Sequence, residues 1–399
     1  MSRRVTRAFF SRAPSTRAAA VLALVWALLA PAQGRLTPAG ALREARSQHT
    51  ATLLADGRVL VAGGRGGDAT ATLASTELFD PKTSVWLPGP PMTSPRAGHT
   101  GTLLDDGRVL VVGGTAPARD GTPRLEALDS AEVFDPKTKA WRAVGALADA
   151  RNGHTATKLL DGTVLVVGGA RPVHQHLSTV ERFDPARNTF STAAPLAQGR
   201  WLHDAVRLAD GSVVVLGGRS NQGAVDAGAP LPKPGVALDT AERFDTATGR
   251  WDAVPPLTEP RQRTAVIGVG HRVIVFGGQT TTMSTNYVEW WEPGATGWTQ
   301  LQSHLSVPIA GHTASVIGSG DVLVVGGEPP QAVDTARAQR WVAASQKWCL
   351  AGTLRTSRKA HAATVLKDGS VLLSGGTSAG LAEASVERWS PAKGECVEP

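Results

Sequence analysis

The sequence predicts an all-β protein assembled from seven copies of one four-stranded unit. Three observations predict it. Seven Gly-Gly pairs (Gly63-Gly64, Gly113-Gly114, Gly168-Gly169, Gly217-Gly218, Gly277-Gly278, Gly326-Gly327 and Gly375-Gly376) follow one another at steps of 50, 55, 49, 60, 49 and 49 residues. Each pair closes a short β-branched run, and outside the first 32 residues no segment has helical periodicity. Other residue types recur in step with the glycines. A unit of about 50 residues cannot bury its own apolar face, so a fixed period of that size means stacking on copies of itself.

The recurrent residues define each element. A histidine stands fourteen residues before the pair (His49, His99, His154, His203, His312, His361), with Thr264 near that place in the fifth unit. Three residues earlier is an arginine (Arg46, Arg96, Arg151, Arg200, Arg261, Arg358), replaced by Ile309 in the sixth unit. The first strand follows the histidine. Asp-Gly pairs such as Asp56-Gly57, Asp106-Gly107 and Asp368-Gly369 then make a tight hairpin, because these residues tolerate positive φ. The second strand is the apolar run that ends in Gly-Gly, apolar on both faces as expected between neighbouring sheets.

The third strand carries a glutamate (Glu77, Glu132, Glu181, Glu242, Glu289, Glu387; Gln339 in the sixth unit) and, two residues on, a large aromatic: Phe79, Phe134, Phe183, Phe244, Trp291, Trp341 or Trp389. Asp-Pro turns such as Asp80-Pro81 lead into a fourth strand. It carries a second aromatic seven residues after the first: Trp86, Trp141, Phe190, Trp251, Trp298 or Trp348. In the last unit Cys396 takes that place, so residues 395–399 are expected to form its fourth strand. A competing segment exists, because 36–46 aligns with 141–151 and could close the structure from the other end.

A four-stranded unit of about 49 residues with a double glycine and two aromatics resembles the kelch repeat. That resemblance implies a seven-bladed β-propeller over nearly all of the mature chain. The expected blades are about 45–90, 95–145, 150–195, 199–255, 260–303, 308–352 and 357–399, within one domain spanning 33–399. The family's usual third-strand tyrosine is here Phe or Trp, which keeps the ring and drops its hydroxyl.

Residues 1–32 read as an export signal. Arg3, Arg4, Arg7, Arg12 and Arg17 precede the apolar stretch Ala18 to Ala30, and Ala30-Pro31-Ala32 supplies small residues for cleavage. Thirteen apolar residues are short for a membrane span. The expected localisation is periplasm, cell surface or medium. The signal holds five of the formal +7 charges and leaves +2, so the basic composition does not indicate a nucleic-acid partner. Cys349 and Cys396 are the two cysteines, and they could pair across the seam between blades six and seven.

Strand order assigns the two ends of the disc. Asp-Gly and Asp-Pro turns share one face, and the arginines, histidines, Gly-Gly pairs and irregular loops share the other. Function on a rigid scaffold concentrates in such loops. The longest are 115–129 in blade two and 219–239 in blade four. The expected binding residues are the rim arginines Arg46, Arg96, Arg151, Arg200, Arg261 and Arg358, with Arg219, Asn221 and Asp226 of the blade-four loop. A repeated arginine also has a structural reading, as the partner of the glutamate repeated in step with it. The joint loss of both in blade six is what pairing predicts.

Catalytic motifs are sparse. A copper-radical site of the galactose-oxidase type needs two tyrosines, and the chain has one, Tyr287. His174 and His176 alone make a weak metal site, and no cofactor is expected. Gly376-Thr377-Ser378-Ala379-Gly380 fits the G-x-S-x-G pattern but lacks a following helix. The resemblance also admits a kelch-type sugar mutarotase or epimerase acting on an acidic sugar. Such a site should show as one blade with a non-consensus acid or histidine beside the pore, and the sevenfold regularity favours a non-catalytic, monomeric scaffold for a protein or glycan.

Overall fold

The computed structural model describes residues 34–391 apart from 68–70, 119, 123, 172–174, 222–234 and 331–333. Among these residues are seven four-stranded antiparallel sheets and no helix. Blade one runs Thr50–Leu53, Val59–Ala62, Thr76–Asp80 and Val85–Pro88 from the inside outward. The innermost strands touch one another in sequence, and the last, Ala362–Val365, returns to Thr50–Leu53. The protein is a seven-bladed β-propeller.

The second strands are buried throughout in six blades, and in blade five at every residue but Arg272. Blade-to-blade cores form on both of their faces. Leu110, Val112 and Val133 of blade two, for example, pack on Val164, Val166 and Phe183 of blade three. Burying each such side chain contributes about 1.5–3 kcal/mol, which stabilises each blade mainly through its two neighbours. The paired aromatics lie opposite each other on strands three and four: Phe134 and Trp141 are in register with ring centroids 5.3 Å apart. Trp141 also donates its indole N–H to the Pro90 carbonyl of the preceding blade at 3.0 Å.

The double glycines have a steric cause. A Cβ on Gly113 would stand 2.5 Å from the Arg151 carbonyl and 2.9 Å from His154 Cε1 of the next blade, and one on Gly114 would stand 2.9 Å from His99 Cβ of its own blade. Both glycines also have positive φ, 61° and 95°. The histidine is therefore wedged between two glycine pairs, which explains the constant spacing between them.

Closure differs from the expected assignment. The outermost strand of blade seven is the N-terminal segment Arg35–Ala41, paired antiparallel with Ser385–Ser390, not residues 395–399. Leu36 is in register with Trp389, the place that the second aromatic holds elsewhere and that Cys396 was expected to hold. Trp86 of blade one donates its indole N–H to the Ala39 carbonyl at 2.9 Å, tying the segment to the next blade as well. Two neighbours thus hold the closing strand. Cys349 on the outer strand of blade six is disulfide-bonded. Cys396 and residues 1–32, expected to form an export signal, lie outside the described residues.

Candidate functional site at the Gly-Gly face

The six recurrent arginines are fully buried. Each pairs with the glutamate of its own blade, as Arg46–Glu77 at 2.9 Å, Arg96–Glu132 at 2.7 Å, Arg151–Glu181 at 2.7 Å, Arg200–Glu242 at 2.9 Å, Arg261–Glu289 at 2.7 Å and Arg358–Glu387 at 3.1 Å. The guanidinium also donates to two carbonyls, from Arg96 to Gly113 at 2.9 Å and to Ser130 at 3.0 Å. Burial lowers the Arg96 pKa and Glu132 opposes that shift. Burial would raise Glu132, but the Thr93 N–H and Arg96 outweigh it and leave the carboxyl below its ordinary value. The arginines expected to bind a ligand are instead desolvated and ion-paired within their blades, and they offer no exposed surface. In blade six Ile309 is buried in apolar surroundings, while Gln339 keeps the acceptor role by receiving the Ser306 N–H at 3.0 Å.

The histidines are also scaffold. In five of the six, Nε2 bonds a hydroxyl of the preceding blade: Thr50–His99 at 3.1 Å, Thr100–His154 at 3.0 Å, Thr155–His203 at 3.0 Å, Thr313–His361 at 2.9 Å and Ser374–His49 at 3.0 Å. Burial first, then neighbouring arginine charge, pushes His49 and His154 down to about 3.

The solvent-facing mouth is built from positions between these residues. The residue just before each histidine position has positive φ: Gln48, Gly98, Gly153, Leu202, Arg263, Gly311 and Ala360. Each donates its backbone N–H to the carbonyl of the equivalent residue one blade earlier, from Gly98 to Gln48 at 2.9 Å round to Gln48 to Ala360 at 3.2 Å. This belt of seven hydrogen bonds circles the mouth and fixes its size. The residue before it bridges the one after Gly-Gly in every blade, as Ser47 with Arg65 and Trp201 with Arg219.

These positions line a cavity of about 710 Å³. Its side chains include Gln48, Arg65, Asn152, Trp201, Arg219 and Arg263. Trp201 lies against Gly153, where a Cβ would be 2.1 Å from its indole nitrogen, and donates to Asn152 Oδ1 at 3.1 Å. Arg219 is fixed by two bonds to the Gly235 carbonyl, at 2.6 and 3.0 Å. Of the expected loop residues, Arg219 lines the mouth, Asn221 is half-buried beside Gly235, and Asp226 lies outside the described residues. Both long loops begin as hairpin ribbons, Thr115–Pro117 with Leu125–Ala127 and Arg219–Ser220 with Val236–Ala237.

Sequence reasoning missed Gln48, Arg65, Asn152, Trp201, Gln262, Arg263 and Gln279. Their signal was variability at fixed places, one and two residues before the histidine position and one after Gly-Gly. The opposite face carries the expected turns, with Asp56-Gly57, Asp80-Pro81 and Asp368 around a second cavity of about 370 Å³ at the blade seven/one seam. Among the described residues no group of three or more His, Cys, Asp or Glu is placed to hold a metal ion, and no helix is long and apolar enough to cross a membrane.

A seven-bladed β-propeller whose blades share this glycine, histidine and arginine–glutamate pattern defines a class. The family model described as the KLHDC2/KLHL20/DRC7 Kelch-repeats domain matches residues 31–218, and the remaining blades repeat the same spacing. The chain is a kelch-repeat β-propeller. The solved structure of YjhT is similar in fold, with 15% identity and a TM-score of 0.59 over 77% of this chain and 98% of that one. No curated protein matches the chain.

Proposed function

We propose that the protein is an exported binding module whose ligand docks at the mouth on the Gly-Gly face. The observation that carries this reading is where the variation falls. Residues that hold the blades together repeat, while the positions beside the histidines and after Gly-Gly, which supply the other side chains of the 710 Å³ cavity, differ from blade to blade. A binding site on a symmetric scaffold requires that pattern, because a unique ligand is recognised by unrepeated groups.

The chemistry of the mouth suits a polyhydroxylated ligand carrying negative charge, such as a glycan. Side-chain amides of Gln48, Asn152, Gln262 and Gln279 donate and accept hydrogen bonds, Trp201 supplies an apolar platform with a polar edge, and Arg65, Arg219 and Arg263 can pair with a carboxylate or sulfate. The ribbons that open both long loops start at the cavity, from Thr115 and Arg219, and extend the surface for a larger partner. A glycan array and a pull-down with residues 33–399 test the reading. A ligand whose capture is lost on Trp201→Ala supports it, and a ligand captured equally by that variant refutes the site.

A further inference from the structure

A side cavity opens beside the mouth, between blades five and six. Blades two, four and seven continue past Gly-Gly as hairpin ribbons, whereas blade five folds into a tight turn in which the Thr280 N–H donates to the Met283 carbonyl at 2.8 Å. Thr281 Oγ1 accepts the Ala237 N–H of the blade-four ribbon at 3.2 Å, which fixes the turn on that side. On the other side the Ser284 hydroxyl donates to the Glu328 carbonyl of blade six at 3.4 Å. The side cavity holds about 150 Å³ and shares Arg263 and Gln279 with the 710 Å³ mouth. Arg263 lies along that boundary because blade six has Gly311 at the matching place, where a Cβ would stand 2.9 Å from Arg263 Nη2. Among the described residues its guanidinium makes one hydrogen bond, Nη1 to Glu328 Oε2 at 3.4 Å, which leaves Nε and Nη2 open.

We propose that the ligand is an acidic oligosaccharide, with one sugar in the mouth, its neighbour in the side cavity, and a carboxylate between them on Arg263. The inference rests on the mouth being a glycan site and names what that site takes. The side cavity offers the two kinds of surface that a sugar ring needs. Met283, 60% exposed, together with Pro329 and Pro330 presents apolar surface to the C–H face. Gln279, Thr282 and Glu328 present donors and acceptors to the hydroxyl edge. Burial would raise the Glu328 carboxyl, but Lys359 and then Arg263 outweigh it and hold it below its ordinary value, so it stays a charged acceptor. Lys359 Nζ stands 2.6 Å from Glu328 Oε1 and 3.5 Å from Asp334 Oδ1, which keeps the acid in place. The open N–H groups of Arg263 can take a carboxylate in paired hydrogen bonds. A monosaccharide fills one cavity only. A chain fills both, and because its units are linked the second adds affinity without a second entropic cost of association.

The test is calorimetric titration of galacturonate and glucuronate beside di-, tri- and tetragalacturonate and short hyaluronan oligosaccharides. Two variants are compared with the parent. Met283→Glu puts a negative charge on the exposed lip of the side cavity, and Arg263→Gln copies Gln48, which has the same positive φ at the equivalent place in blade one. Both should melt within about 3 °C of the parent. The proposal expects at least one oligosaccharide to bind about tenfold more tightly than its monosaccharide. Met283→Glu should abolish that gain and leave monosaccharide affinity within about threefold, and Arg263→Gln should weaken the oligosaccharide about tenfold. Oligosaccharides bound no more tightly than their monosaccharides, or a Met283→Glu variant that weakens both alike, overturn the side cavity as a subsite while leaving the mouth as a binding site. Binding of no saccharide, or binding that survives Trp201→Ala, by contrast, removes the mouth reading on which the proposal rests and the proposal with it.

Discussion

Arg96 Nη2 stands 2.7 Å from Glu132 Oε1 with both side chains sealed from solvent, and five other blades repeat the arrangement. Removing one partner of such a pair strands a buried charge, at a cost of about 3–5 kcal/mol. Arg96→Ala is expected to destabilise by that amount in chemical denaturation. Blade six shows the remedy: Arg96→Ile with Glu132→Gln copies Ile309 and Gln339, and should recover most of the loss. A double variant no more stable than Arg96→Ala alone would show that the pair is not the unit.

The closing strand gives a second prediction. Arg35–Ala41 pairs with blade seven and receives the Trp86 indole from blade one. Deleting residues 33–40 should expose Trp389 and the seam beneath it, lowering the melting temperature by ten degrees or more, as loss of several kcal/mol in a large domain implies (about 2–4 °C per kcal/mol). An unchanged melting temperature would mean that another segment supplies closure.

Stability should fall in acid because of the histidine ring. His49 and His154 are held down to about 3 and His312 to about 4, all chiefly by burial. A histidine whose folded pKa is depressed favours the folded state above its unfolded value of about 6.5, and that contribution is lost as pH falls toward the folded values. Unfolding should therefore take up several protons between about pH 6.5 and 4, measurable as the slope of stability against pH. Replacing His154 with Gln should flatten that slope, and an unaltered slope would assign the acid sensitivity to other groups.

Much of this fold was legible because its constraints are local and repeated. The His–Gly spacing reports a wedge in which no Cβ fits, and the joint change at Ile309 and Gln339 reports an ion pair. The same regularity hid the site. A recurring arginine reads as a charged rim until its carbonyl and glutamate partners close over it, and those partners come from strands distant in sequence. Closure was ambiguous because Leu36 and Cys396 each fit the place opposite Trp389, and geometry at the seam decides between them. Trp201 and Asn152 went unnoticed because alignment to a repeat treats departures from it as noise, although departures at inner positions are where a symmetric scaffold becomes specific.

The central claim is that the mouth residues, and not the buried arginines, recognise the ligand. Calorimetric titration of the best glycan from the array against Trp201→Ala and Arg219→Ala measures it directly. Each variant should bind at least tenfold more weakly, about 1.4 kcal/mol, while melting within about 3 °C of the parent, as expected of partly exposed side chains. Wild-type affinity in both variants would contradict the account and move the ligand away from the mouth.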